Sequence, residues 1–316
     1  MEATTYAERA AIKIGADTAY ALCSFVDGST TTLPDFWQQA WVPDHDVRGH
    51  TATVFQMFMP AEVPLPVFAL AIQGTKNILD VLSDFKVIPQ VSFAPISGAA
   101  IAKGSQDGLE DILDLKRTSG GSVETLKQFL QNLPQGSTLL VTGHSLGGNV
   151  GSVLAPWIAA HVPAFGGNGG KEVTELPPNL QTITFAAPTA GNEAFASFLN
   201  GQSNYQAYFN SNDVVPHVWA SSGQWSAFDI DNLFPAPGPN PAPPFVQQLI
   251  QNKMTALADA QISYTQTTGK IFTFPPYTAP GKDPAARWMW ELGYQHNYAY
   301  CKQFLGAAGN CKLPDS

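Results

Sequence analysis

The sequence predicts an α/β fold, with a mostly parallel central sheet covered by helices on both faces. Three observations predict it. Short apolar and β-branched runs alternate with longer segments of helical periodicity, as expected of parallel strands joined by crossover helices. One such run, residues 137–142, feeds into Gly143-His144-Ser145-Leu146-Gly147 and then a long apolar stretch, so strand, tight turn and helix follow in order. The third is size: 316 residues at 44% apolar content can bury a large core, and α/β chains of this length commonly form one domain, here residues 1–316.

Residues 6–25 are Ala-rich and punctuated by Ala10, Ile14, Ala21, Leu22 and Phe25, which predicts a helix laid across the fold. Residues 51–58 and 67–73 predict buried strands, separated by a Pro-rich turn at 60–66. Helical spacing at 109–115 and 123–130 precedes the strand at 137–142. The stretch 146–160 carries Val150, Val153, Leu154, Trp157 and Ile158 among small residues, as a helix packed on a sheet requires. Strands at 181–185 and 205–210 flank a short helix at 193–199, and the glycines of 166–170 make a surface loop. Six prolines in the eleven residues 234–244 forbid regular structure. They mark an excursion over about 224–280 rather than a linker, because too little chain follows for a second α/β core. Within it, 245–262 predicts a helix and 270–274 a strand, and no internal repeat is present.

Composition excludes several classes. A formal charge of −9 without a basic run argues against nucleic-acid binding. No stretch reaches 18 consecutive apolar residues, which argues against a transmembrane helix. The start, Met1-Glu2-Ala3-Thr4-Thr5, lacks the basic and apolar regions of a secretory signal, so the protein is expected either to avoid that route or to be a mature form. Only 13% of residues are charged, and the amide and hydroxyl surface this implies points to an extracellular protein, while the missing signal points to the cytoplasm. Three cysteines do not make a disulfide framework. Cys301 and Cys311 are spaced to close a small loop, leaving Cys23 unpaired; three free buried thiols is the alternative, and both stay open here.

The motif with chemistry is the glycine-flanked serine. A nucleophile elbow holds its residue at strained backbone angles, so the positions two before and two after must be small; Gly143 and Gly147 satisfy this and make Ser145 the candidate nucleophile. A serine hydroxyl needs an imidazole to take its proton, and the imidazole needs a carboxylate to fix its tautomer. In α/β-hydrolases both partners come later in the chain, acid before histidine. Of six histidines, His45 and His50 precede the elbow, His144 lies inside it and His161 ends its helix, leaving His217 and His296. Asp213 directly follows the strand at 205–210 and is the acid candidate, against the plainer reading of a turn-forming Asp. His217 shares its short loop, whereas the base should approach from another, so His296 is preferred and His217 is read as structural or pocket-lining. The tetrahedral intermediate needs two N–H donors: Leu146, following the nucleophile, and Thr75, ending the strand-like run Ala69-Leu70-Ala71-Ile72-Gln73-Gly74-Thr75.

Four blocks in order then resemble the class 3, fungal-type triacylglycerol lipases: Ala71-Ile72-Gln73-Gly74-Thr75; Val141-Thr142-Gly143-His144-Ser145-Leu146-Gly147-Gly148; Thr184-Phe185-Ala186-Ala187-Pro188-Thr189-Ala190-Gly191-Asn192; and Asn212-Asp213-Val214-Val215-Pro216-His217. A fifth, Gln295-His296-Asn297-Tyr298, resembles the family's His-x-x-Tyr block. The resemblance implies an α/β-hydrolase fold with Ser145, Asp213 and His296 as triad and Thr75 and Leu146 as oxyanion hole. It also implies a lid at about 76–87, where Ile78, Leu79, Leu82 and Phe85 form an apolar face and Asp80, Asp84 and Lys86 a polar one; an ordinary surface helix is the plainer reading. The chain departs from the pattern at Gln73, where an Arg is usual, at Ala102-Lys103-Gly104, which replaces a His-x-Gly, and in the 83 residues separating Asp213 from His296.

The expected function is hydrolysis of lipid carboxylic esters through an acyl-enzyme, as a triacylglycerol lipase or carboxylesterase, with no cofactor or metal. The expected partner is an ester lipid, at a lipid–water interface, met by a monomer. Phospholipase A1 or feruloyl esterase activity would use the same residues, and a non-catalytic lipid-binding protein on the same fold is the alternative from another class. Trp219, Trp225, Trp288, Trp290 and Tyr294 are candidates to line an acyl groove, or else belong to the core.

Overall fold

Val67–Ile72 (β3) is six consecutive apolar residues, and all six are buried because the strand has a packed layer on each face. Phe68, Leu70 and Ile72 point into one layer while Val67, Ala69 and Ala71 point into the other, the period-two alternation of a pleated strand. The structure, a computed structural model, describes residues 12–58, 65–75, 78, 83, 85–277, 283–306 and 309–314.

Around β3 the sheet runs in the order β1 (Trp37–Trp41), β2 (Ala52–Met57), β3, β8 (Thr138–His144), β9 (Leu180–Phe185), β10 (Tyr205–Asn210) and β11 (Lys270–Phe272). The first two pairings are antiparallel, and every pairing from β3 to β11 is parallel. One face packs on α2 (Lys103–Asp114), α3 (Leu126–Gln131), α4 (Leu146–His161) and α5 (Glu193–Asn200), through Leu109, Ile112, Leu130, Val150, Leu154 and Phe195. The other packs on α1 (Ala16–Val26) and α8 (Ala299–Leu305), through Leu22, Cys23 and Tyr300. Parallel strands place their carboxyl ends along one edge, and the turn after β8 and the loops after β3 and β10 open there.

The Pro-rich excursion makes a third apolar layer of its own. Val214, Val218, Trp219, Ile230, Phe234 and residues of α6 (Pro244–Asp259) bury one another together with Trp288 from α7 (Pro284–Gly293). Ile78, Phe85 and Val87 join that cluster and Leu146 packs on it, so it sits against the start of α4. The remainder of the expected lid, namely Lys76, Asn77, residues 79–82 and Asp84, lies outside the described residues.

Several elements differ from the sequence-based expectation. Residues 123–130 are not one helix: Ser122–Thr125 (β7) pairs with Lys116–Ser119 (β6), turning on Gly120 and Gly121 at φ 56° and 82°. Two adjacent positive-φ glycines favour this hairpin turn. Thr125 then caps α3 in a reciprocal capping box with Gln128, so the same few residues end a strand and start a helix. The N-terminal helix starts at Ala16, because Gly15 is extended at φ −73°, ψ 160°, and residues 6–11 lie outside the described residues. Edge strand β1 and the hairpin of β4 (Gln90–Ser92) with β5 (Ala100–Ala102) were not anticipated. Cys301 and Cys311 are bonded, and Cys23 is a buried free thiol whose pKa burial pushes up.

Candidate active site

Ser145 sits between the end of β8 and the start of α4 at φ 57°, ψ −128°, a region costly for any residue with a side chain. The glycines on either side are required by packing. A Cβ on Gly143 would lie 2.3 Å from the Gly147 carbonyl, and one on Gly147 would lie 2.3 Å from the Ile72 carbonyl oxygen. The turn is fixed further by the Ser145 N–H, which donates to Phe185 at 2.9 Å, and by the Ser145 carbonyl, which accepts from Gly148 and Asn149. Leu146 is the first residue of α4, where an amide N–H has no partner within the helix and the helix dipole favours negative charge. Beside it runs the loop after β3: a Cβ on Gly74 would approach the His144 carbonyl oxygen to 2.7 Å and Ser145 Cβ to 3.2 Å, so Gly74-Thr75 lies directly against the elbow.

Asp213 follows β10 in a turn closed by its own N–H on the Asn210 carbonyl, and its carboxylate is fully buried. It accepts from His296 Nδ1 at 3.0 and 2.9 Å and from the Val215 N–H at 3.0 Å. Close by, the Tyr300 hydroxyl accepts the Asn210 N–H at 2.8 Å. With Nδ1 as donor, His296 has the tautomer that leaves Nε2 free as a base. His296 Nε2 and Ser145 Oγ are both buried without a hydrogen-bond partner among the described residues. His144 ties the two loops together, its Nε2 donating to the His296 carbonyl at 2.9 Å. Burial, then the neighbouring His296, holds His144 well below the ordinary histidine range, so it is neutral.

The structure thus brings Asp213 and His296 into contact and lays Gly74-Thr75 on the turn that carries Ser145 and Leu146. His217 stands apart from this contact: its Nδ1 hydrogen-bonds the Ser226 carbonyl, its ring packs edge-on to Trp225, and burial lowers its pKa. Trp219 and Trp288 are fully buried in the core of the excursion, and Trp290 and Tyr294 stack on each other at 5.3 Å.

Sequence reasoning missed the residues that hold the Asp213 and His296 loops together. Asn210 donates to the Gln295 side chain at 2.7 Å and to its carbonyl at 3.0 Å, and Gln295 donates to buried Glu291. Burial raises the Glu291 pKa, and both its oxygens accept from the Tyr277 N–H. Residues 294–298 form a single π-helical turn, and the tyrosine that accepts the Asn210 N–H and packs edge-on to His296 is Tyr300, four residues after it, rather than Tyr298. Among the described residues no three His, Cys, Asp or Glu side chains converge as a metal site.

A mostly parallel sheet whose central strand turns through a positive-φ serine into a helix defines an α/β-hydrolase. Residues 69–222 match the model of the class 3 lipases, a family of carboxylic ester hydrolases. The match includes Thr75, Ser145 and Asp213 and ends before His296. M37 lipase is similar in fold over 95% of this chain and 89% of its own, at TM-score 0.68 and 22% identity. Rhizomucor miehei lipase in its propeptide complex and lipase II from Rhizopus niveus are each 20% identical over 65% of this chain, at TM-score 0.47, with 62% and 72% of their own lengths covered.

Proposed function

We propose that the protein hydrolyses long-chain acyl esters of the triacylglycerol type at Ser145, with His296 as general base and Asp213 as the acid that orients it. The observation that supports this most is the buried His296–Asp213 pair, whose free Nε2 shares the elbow region with an unpartnered serine hydroxyl. His296 Nε2 takes the Ser145 proton as Oγ attacks the ester carbonyl, and the N–H groups of Thr75 and Leu146 receive the oxyanion. Collapse of the intermediate breaks the acyl–oxygen bond, and the His296 proton goes to the leaving alkoxide. Water, deprotonated by the same Nε2, then attacks the acyl-enzyme; fatty acid leaves and the serine is restored. Every proton transfer uses side chains of this chain, so the reaction calls for no cofactor or metal.

The catalytic unit in this reading is a single monomeric domain, with about 224–280 as a cap whose apolar core borders Leu146. Ser145 is 1% exposed and His296 1% exposed, so an ester reaches them only after the chain above moves aside. That burial favours a substrate met at a lipid surface, where apolar side chains displaced from the cap find an apolar medium. A chain-length series of nitrophenyl esters, measured below and above their solubility limit with Ser145→Ala as the blank, tests this. Rates that hold or rise with acyl length and increase on emulsions support lipid esters; a steady fall beyond short chains without interfacial gain makes the substrates soluble esters.

A further inference from the structure

The loop that would supply one oxyanion donor carries Gln73 where the family pattern has Arg, yet it is held tightly. Gln73 donates its N–H to the Thr51 carbonyl at 3.0 Å, fixing the end of β3 to β2. One residue on, the Gly74 N–H donates to Asp27 Oδ1 at 3.1 Å, across 47 residues of sequence. Asp27 is the C-terminal cap of α1, its own N–H donating to the Cys23 carbonyl and the next N–H, of Gly28, to that of Phe25, so the carboxylate stands on a rigid helix end. Gly74 has no room on its other side, where a Cβ would meet the His144 carbonyl oxygen and Ser145 Cβ. An amide clamped by a carboxylate on one side and by the elbow on the other has its plane set, and the next amide in the chain is that of Thr75.

We propose that Asp27 is a positioning residue of the oxyanion hole. Its carboxylate orients the Gly74–Thr75 peptide so that the Thr75 N–H faces the place where charge develops on Ser145's substrate; this rests on Thr75 being an oxyanion donor. Asp27 touches no reacting atom. It also borders a cavity of about 330 Å³ lined by Gly74, Thr75 and His144, so in Asp27→Ala a mobile water can take the place of the carboxylate. Removing an oxyanion donor outright costs about 10²–10³ in kcat; loosening one costs less, about 10–100-fold.

The test compares an alkyl trifluoromethyl ketone with the matching methyl ketone as inhibitors of the full-length protein. Ser145 Oγ adds to the activated carbonyl, His296 takes the proton and the oxygen becomes an oxyanion, so the affinity ratio of the two ketones reads the hole directly. The wild type is expected to prefer the fluorinated ketone by at least about 100-fold, Asp27→Ala to lose about 10–100-fold of that preference and of kcat with KM little changed, and Asp27→Asn, which keeps an acceptor oxygen, to stay within about threefold of wild type. Asp27→Leu replaces the Ala variant if that does not fold. No preference in the wild type removes the oxyanion reading and this proposal with it. A wild-type preference that Asp27→Ala or Asp27→Leu retains overturns the positioning role alone, as does equal loss in Asp27→Asn, which marks a merely structural carboxylate.

Discussion

His296 donates from Nδ1 to both oxygens of the Asp213 carboxylate, at 3.0 and 2.9 Å, and both side chains are buried. The carboxylate has a further donor, the Val215 N–H, which holds it in place from its own loop. Asp213→Asn can offer an N–H in place of an acceptor and lets His296 invert its tautomer. Such tautomer loss costs about 10⁴-fold in kcat in serine proteases. The same order is expected here at neutral pH, with Tm near that of wild type; esterase kinetics and a thermal melt on one preparation check it, and a loss under tenfold contradicts the assignment.

The elbow glycines make a stability prediction. Gly147→Ala puts a methyl 2.3 Å from the Ile72 carbonyl oxygen, a contact with backbone that no rotamer relieves. Overpacking against backbone at both ends of a fixed turn is expected to cost at least about 3 kcal/mol. Gly151, also in α4, would meet nothing nearer than 3.6 Å, so Gly151→Ala is the control. Urea melts should separate the two variants clearly; equal midpoints would show that the turn has more freedom than its geometry allows.

Stability should fall in mild acid partly through His144. Burial keeps its folded-state pKa well below the ordinary value, so the unfolded chain, titrating near 6.5, binds the proton first. The contribution is therefore whole above about pH 6.5 and lost as pH drops below it. His217 is shifted in the same direction by burial, whereas Glu291, raised by burial, loses stability as pH rises. His144→Gln removes one of the two histidine terms, and its Tm should fall less than that of wild type between about pH 7 and pH 5. An equal or steeper fall in the variant contradicts the neutral, buried His144.

The Cys301–Cys311 bond ties α8, whose Tyr300 packs edge-on to His296, to the segment after it across a sequence separation of 10. Loop-closure entropy for that length is roughly 2–3 kcal/mol. Replacing both cysteines by Ala should lower Tm by roughly 3–5 °C. Calorimetry of oxidised, reduced and double-Ala protein checks it, with the last two expected to coincide.

The central sheet and elbow were legible because they obey local rules. β3 and β8 are uninterrupted apolar strands, and Gly143 and Gly147 are small for a reason that any strand–turn–helix junction shares. Chain order left His217 and His296, the expectation that the base comes from a loop other than that of Asp213 preferred His296, and the geometry sets His296, not His217, on the Asp213 carboxylate. What could not be read rests on contacts between distant residues. Asn210 and Gln295 meet across 85 residues, Asp27 and Gly74 across 47, and nothing local to any of the four announces a partner. Residues 123–130 were misread because apolar spacing hid the turn at Gly120-Gly121 and the cap at Thr125. Tyr300 lies two places beyond Tyr298, outside the block quoted around His296, so nothing in that block points to it.

The account stands on Ser145 as the single nucleophile, and stoichiometric labelling with a fluorophosphonate tests that most directly. Intact mass should show one adduct per chain, peptide mapping should put it on Ser145, and lipid-ester hydrolysis should disappear in step with its formation, with Ser145→Ala neither labelled nor active. An adduct on another residue, or turnover that survives in Ser145→Ala, would contradict the account.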